Sequence, residues 1–191
     1  PFVNQEFFPD SVRPEIILDV NLPSGASIKE TKEVMAGIAD NLYGDDRVSS
    51  FSTYIGDSAP RFILLFDPLA PEDSHGQMIL VARDSKVRDS LHDDTLAFIA
   101  EQYPDARAHA RLITTGPPAE YPIMLRLSGK NVEDTVKFAK EAAALVSQYP
   151  GMKNVSMDWP EETPVVRLKI DQDKVRKLGG DNYSISRDLY V

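Results

Sequence analysis

Hydrophobic positions along this chain recur with two periods, and the switches between them mark out its elements. From Glu15 to Leu22 the period is two: Leu18, Val20 and Leu22 share one side, Ile17, Asp19 and Asn21 the other. That is the pattern of a half-buried strand. Pro23-Ser24-Gly25 turns the chain, and Ser27 with Glu30 three residues on makes a capping box. Thr31, Met35, Ile38 and Leu42 then follow helical spacing up to Gly44. Residues 47–55 and 61–66 predict two further strands, and the loop from Pro68 to His75 leads into another over 77–82. A second helix is expected over 86–102, with Val87, Leu91, Thr95, Phe98 and Ile99 inward and Pro104 ending it. Residues 106–114 read as the next strand. Residues 1–14 form a proline-punctuated lead-in.

After Gly116-Pro117-Pro118 the order restarts. A strand over 121–127, Ser128-Gly129 and an Asn131 cap with Asp134 at the third position repeat the first strand, Ser24-Gly25 and Ser27 with Glu30. The stripe Thr135, Ala139, Ala142, Val146 falls on Thr31, Met35, Ile38, Leu42 at one constant offset, and strands over 152–158 and 164–170 follow. The clearest twin segments are Pro60 to Asp67 and Pro164 to Asp171, the latter alternating Val166, Leu168, Ile170 against Arg167, Lys169. Nine identities over 14–67 and 118–171 are weak alone, but the shared caps, turns and stripes make an internal duplication the economical reading. The fold class expected is α+β: two ferredoxin-like sandwich subdomains, the first with one extra strand, the second incomplete. After Asp171 come only a short helix to Leu178, Gly179-Gly180 and a stub capped at Ser184. A sheet left short of a strand would expose an edge.

Composition narrows the function more than the fold. A net charge of −9 over 191 residues argues against a nucleic-acid or anionic-membrane surface. With no cysteine there is no thiol chemistry, disulfide framework or cysteine zinc site. No run reaches the ~20 apolar residues that span a bilayer, and Pro1 opens the sequence without a signal peptide, so it reads as a piece of a longer chain. Asp93-Asp94 are adjacent and diverge on a helix, and no Ser-His-Asp order, G-x-S-x-G or phosphate loop occurs, so no enzymatic activity is expected. The histidines 75, 92 and 109 are scattered, and the five methionines lack ligand spacing and read as core filler. No cofactor or metal is expected.

Several motifs, in order, carry a family resemblance. They are Phe7-Phe8-Pro9-Asp10, Leu22-Pro23-Ser24-Gly25-Ala26-Ser27, Gly116-Pro117-Pro118, Asp158-Trp159, and Pro164 to Lys174 with Leu178-Gly179. Together they resemble the large periplasmic loop in the C-terminal half of resistance–nodulation–division (RND) efflux pumps of the acriflavine-resistance type. The resemblance implies a proton-driven inner-membrane antiporter, working as a homotrimer with a periplasmic adaptor and an outer-membrane channel. It implies a first porter subdomain at 1–116, the first half of a second at 117–162 and the start of a docking segment at 163–191. The proton-relay groups of such pumps lie in membrane helices that this sequence lacks. A stand-alone ligand-sensing or interaction module built from duplicated ferredoxin-like folds is the alternative.

In that family substrate passes through a cleft between the two porter subdomains. Strand alternation then nominates Ile17, Asp19 and Asn21 for one wall, Phe51, Thr53 and Tyr54 for another, and Arg107, His109 and Arg111 for a third. All nine could equally be solvated strand faces, and Phe51 a core residue. The connection Gly56-Asp57-Ser58-Ala59-Pro60 is shorter than the Gly- and Phe-rich loop of pumps specialised in hydrophobic drugs. Charged walls are costly to dehydrate, so the expected cleft is wet and takes small polar or amphiphilic substrates.

Overall fold

The computed structural model describes residues 11–64, 66–114, 116, 121, 123–152, 155–159, 167–177 and 179–189. Among these the elements run β1 (Glu15–Asn21), α1 (Ile28–Leu42), β2 (Val48–Ile55), β3 (His75–Ala82), α2 (Ser85–Gln102), β4 (Arg107–Leu112), α3 (Val132–Ser147), α4 (Gln172–Lys177) and α5 (Asn182–Leu189). The strands form one sheet in the order β2-β3-β1-β4, every neighbouring pair antiparallel. Two β-α-β halves interleave in this way in the ferredoxin-like sandwich.

Local chemistry sets the helix starts. Ser27 N–H donates to Glu30 Oε2 at 2.7 Å while Glu30 N–H reaches Ser27 Oγ at 3.4 Å, so the capping box is formed. Asp84 accepts from the Lys86 and Val87 amides to open α2, and Asn131 accepts from Asp134 N–H to open α3. In α1 the buried stripe is Thr31, Met35, Ile38 and Leu42, as its spacing predicts. In α2 it is Arg88, Leu91, Thr95 and Ile99. Arg88 is buried because its Nη1 donates to the Ser11 and Arg13 carbonyls, which ties the lead-in to the helix. Both helices lie on one side of the sheet. Ile16, Leu18, Val20, Met78, Leu80 and Ala110 meet them there in a single core. Gly76 is in contact with Met35: a Cβ added to the glycine would lie 2.6 Å from Met35 Cγ.

Four expectations are corrected. No described residue of 61–66 is in a strand, so the first unit has four strands rather than five among the described residues; position 65 lies outside them. Phe62, Ile63, Leu64 and Phe66 instead belong to a long connection, residues 56–74, laid on the sheet face away from the helices. The short connection inferred from residues 56–60 is therefore wrong. In the second unit, α3 forms with its predicted cap, but no described residue of 121–127, 152–158 or 164–170 is in a strand; positions 122, 153–154 and 164–166 lie outside the described residues. A strand exists by pairing, and these segments have no ladder partner among the described residues. Ile123, Met124 and Leu125 are accordingly exposed, and α3 buries none of its residues. The C-terminal stub is α5, capped by Asp181, whose Oδ1 accepts from Ser184 N–H at 2.8 Å, so Ser184 is not the cap. The lead-in motif at 7–10 and Pro117-Pro118 also fall outside the described residues.

Candidate functional site

Strand register sorts the nine nominated residues. Asp19 is level with Gln77 on β3 and His109 on β4, Ile17 with Ile79 and Arg111, and Asn21 with His75 and Arg107. Tyr54 is level with Gln77. Ile17, Asp19, Asn21, Tyr54, Arg107, His109 and Arg111 therefore share the face opposite the helices. Phe51 and Thr53 are level with Leu80 and Met78, which belong to the helix-side core, and Phe51 packs against that core. One continuous wall through all nine residues does not form.

This face is covered rather than open. Asp19 retains 6% exposure and Ile17 4%. The cover is the 56–74 connection. Phe66 and Ala59 bury against Ile17 and Ile113, with Tyr54, Ile63 and Ile79 at the margin of this second core. The connection is pinned at its base: Gly56 N–H donates to the His75 carbonyl at 2.8 Å and Glu72 N–H to the Gly56 carbonyl at 3.1 Å. Gly56 has φ of 70°, a left-handed conformation that glycine adopts without steric cost. Above the base, Ser58 Oγ donates to the Leu69 carbonyl and Ala59 N–H donates to Gln77 Oε1 at 2.8 Å.

Beneath the cover lies a charged, hydrogen-bonded group. Gln77 Nε2 donates to Asp19 Oδ1 at 2.6 Å, and Arg111 Nη2 lies 3.2 Å from Asp19 Oδ2. His75 Nδ1 is 3.0 Å from Asn21 Oδ1, and its Nε2 is 3.8 Å from Asp19 Oδ1. His75 Nε2 and Arg111 Nε are buried without a hydrogen-bond partner among the described residues. The His109 ring stacks on Tyr121 with centroids 4.9 Å apart, joining β4 to the segment that leads into the second unit. Gln77 and His75 are the site residues that the sequence pattern did not single out. They sit on β3 at alternate positions on the face of Ile79, so the alternation that nominated the β1 residues extends to them.

The free volume on this face is small. A cavity of about 30 Å³ is bordered by Ile17, Ile63, Phe66, Arg111 and Ile113, room for about two waters and far below a drug-sized pocket. A larger, open depression of about 320 Å³ lies at the start of α3 among Leu127, Lys130, Asn131, Asp134 and Phe138, and includes none of the nine nominated residues. Among the described residues no group of three or more His, Asp or Glu side chains is placed to hold a metal ion, and no helix is long and apolar enough to cross a membrane. The outer surface of the cover is mixed: Phe62 is 41% exposed, Leu64 84% and Leu69 45%, among the exposed charges of Asp57, Arg61, Asp67, Glu72 and Asp73.

A helix-backed, four-stranded antiparallel sheet of this topology is consistent with the ferredoxin-like subdomains of RND porter regions. The structure is similar to the X-ray crystal structure of a heavy metal efflux pump, with a TM-score of 0.63 and 18% identity. That likeness covers 91% of this chain and 19% of the pump, so the chain spans about a fifth of that protein's length. None of the curated proteins compared matches the chain. The sequence model of the AcrB/AcrD/AcrF family matches residues 1–190, and the chain belongs to that family of RND transporters.

Proposed function

We propose that this chain is the periplasmic porter region of a proton-driven RND efflux pump for small polar or amphiphilic xenobiotics. In this reading residues 1–116 are the first porter subdomain, 117–162 the opening half of the second and 163–191 the start of the docking segment. The whole pump works as a homotrimer in the inner membrane, with a periplasmic adaptor and an outer-membrane channel. The observation that carries the reading is the family match over residues 1–190 on a chain whose first unit is a four-stranded ferredoxin-like sheet. A stand-alone sensing module would call for no such match.

In this reading the face of Ile17, Asp19 and Arg111 is one wall of the cleft, and the 56–74 connection is its lip, with Phe62, Leu64 and Leu69 exposed among charged neighbours. Substrate meets a lip of mixed apolar and charged groups first and the charged floor only where the lip lifts. Amphiphiles suit both surfaces. Metal export is the reading suggested by the similar heavy metal efflux pump, but Met35 and Met78 of the first unit are fully buried in the helix-side core. Thioether ligands for Cu(I) would have to come from Met124, Met152 or Met157, which lie outside that unit.

The test is deletion of the gene that encodes this chain, followed by susceptibility assays with amphiphilic drugs, bile salts and metal salts. Greater sensitivity to amphiphiles, reversed by the native gene and less completely by a Tyr54→Ala, Arg111→Ala form, supports the proposal. Sensitivity confined to metal salts, or none at all, refutes it.

A further inference from the structure

The structure assigns a latch to Gln77: its side-chain amide transmits the negative charge of Asp19 to the 56–74 connection and holds that connection on the sheet. The argument starts from hydrogen-bond chemistry. An ionised carboxylate only accepts, so the Gln77 group facing Asp19 Oδ1 at 2.6 Å has to be its NH2. The Gln77 carbonyl oxygen then necessarily points the other way. It accepts the Ala59 amide at 2.8 Å. A donor at Ala59 demands the same orientation, so both ends of the relay agree. Gln77 is wholly buried and Ala59 is 1% exposed, so neither group has water as a substitute partner. Arg111, 3.2 Å from Asp19 Oδ2, balances the charge that orients the amide.

The latch works against an opposing pull. His75 Nε2 and Arg111 Nε are buried without a hydrogen-bond partner among the described residues, on the face that the connection covers. Buried polar atoms without partners favour any state that lets water in. Lifting residues 57–69 would hydrate both. The closed arrangement is thus held by the relay and the Phe66 contacts, and opposed by two unsatisfied groups. Gln77 is a positioning residue for the lip of the cleft. Its importance for substrate passage rests on the transport reading above, but the relay itself can be tested without substrate.

The test moves the charge one position along the relay in the 191-residue chain. Asp19→Asn alone cannot satisfy both neighbours: an Asn oxygen turned to Gln77 presents its NH2 to Arg111, and the flipped amide faces Gln77 with the wrong group. Gln77→Glu alone places two carboxylates side by side. The double variant Asp19→Asn/Gln77→Glu restores a donor–acceptor chain, from the Asn NH2 to a Glu oxygen and from the Ala59 N–H to the other oxygen, at unchanged net charge. Amide hydrogen exchange at Ala59 is the readout, with Leu18 and Leu80 amides as the reference for the core. Each single variant should lose Ala59 protection by about tenfold or more while Leu18 and Leu80 stay protected, and the double should recover most of it. A double variant as unprotected as the worse single, or single variants with native Ala59 protection, overturns the latch. If the single variants do not fold, folding of the double decides: a folded double supports the relay and an unfolded one sinks it. Failure here would leave the susceptibility test of the pump unaffected, so the two proposals fail separately.

Discussion

Replacing Phe66 by alanine separates two views of the 56–74 connection. Phe66 is 2% exposed and packs with Ile17, Ala59 and Ile113, its ring centroid 5.1 Å from that of Phe62. Burying a phenylalanine side chain contributes about 1.5–3 kcal/mol. In a rigid core, Phe→Ala costs about 3–5 kcal/mol because a cavity stays behind. Here the cavity need not persist. Apart from its base and the Ala59 and Ile63 contacts, the connection is held to the sheet by the Ala59–Gln77 hydrogen bond, worth about 0.5–1.5 kcal/mol net, while the Ser58–Leu69 bond is internal to it. The variant chain should therefore let the connection lift before the domain unfolds. Global stability, from urea unfolding followed by circular dichroism, should fall by about 1–2 kcal/mol. Leu80→Ala, in the fully buried helix-side core, should cost about 2–5 kcal/mol. Native-state trypsin cleavage after Arg61, an exposed residue of the connection ion-paired with Asp67, reads the lifting directly. A loss of about 1.5–3 kcal/mol from the closed form should speed cleavage about ten- to a hundredfold where opening is fast relative to cutting. Unchanged cleavage together with a stability loss as large as that of Leu80→Ala would refute the reasoning, since the connection would then be an inseparable part of the main core.

Three further outcomes follow from single contacts. Gly76→Ala should destabilise by about 0.5–2 kcal/mol, since overpacking against Met35 costs about 1–3 kcal/mol and the gain in strand propensity returns less than about 1. Combined with Met35→Ala, its cost should shrink or reverse, and strict additivity in urea unfolding would disprove the contact. Ser27→Ala removes the cap of α1 and should cost about 1 kcal/mol, seen as a lower thermal midpoint with the sheet intact. The Asp45 carboxyl is held below the usual carboxylate range by hydrogen bonds from the Arg47 side chain and amide, and Glu15 by Arg13. A lowered folded value means these groups stabilise the protein above the ordinary carboxylate range, a contribution lost as pH falls through the lowered value. Arg47→Ala, which also breaks the bridge to Asp94, should therefore flatten the acid limb of the stability curve, less so in high salt because the pairs are partly exposed. An acid limb identical to that of the native chain would show that the pair contributes nothing.

The helices were legible because their signals are local. A cap, a stripe at 3.6-residue spacing and a breaker lie within one segment, and Ser27, Met35, Leu42 and Asn131 play the parts their positions suggest. The strands of the first unit were legible for the same reason, apart from their number. The run Phe62 to Phe66 carries the composition of a strand, and a short apolar run cannot by itself be told from a segment that merely covers apolar surface. Its likeness to Pro164–Asp171 does not help, because a repeated sequence pattern carries no ladder partner with it. What decided the matter was non-local: Ile17, Ile113 and Tyr54 offered an apolar face for Phe66 to cover. Strand alternation puts Asp19 on the side opposite the core, where a charge reads as a wet wall residue. The topology overrules it by bringing Gln77 from one side and Arg111 from the other.

That override changes where substrate chemistry would be read in the proposed pump. A charged floor argues for polar ligands only if the ligand reaches it, and Asp19 lies beneath residues 57–69. With the connection down, the surface offered by this unit comprises Phe62, Leu64 and Leu69 among the exposed charges of Arg61 and Asp67, beside the edge strand β4. In the transport reading, the groups that hold the connection down, Gln77 and Asp19 among them, then govern the polarity of the cleft by keeping the charged face covered. A weakened latch would enlarge the polar fraction of the surface without altering any wall residue. In the transport reading, Gln77→Glu should then broaden export, and so resistance, towards more polar compounds, whereas Phe62→Ala and Leu64→Ala should weaken export of the most apolar ones. The opposite pattern, with Gln77→Glu sparing polar compounds and reducing export of apolar ones alone, would mean that the connection stays closed while substrate passes and that the charged face plays no part in binding.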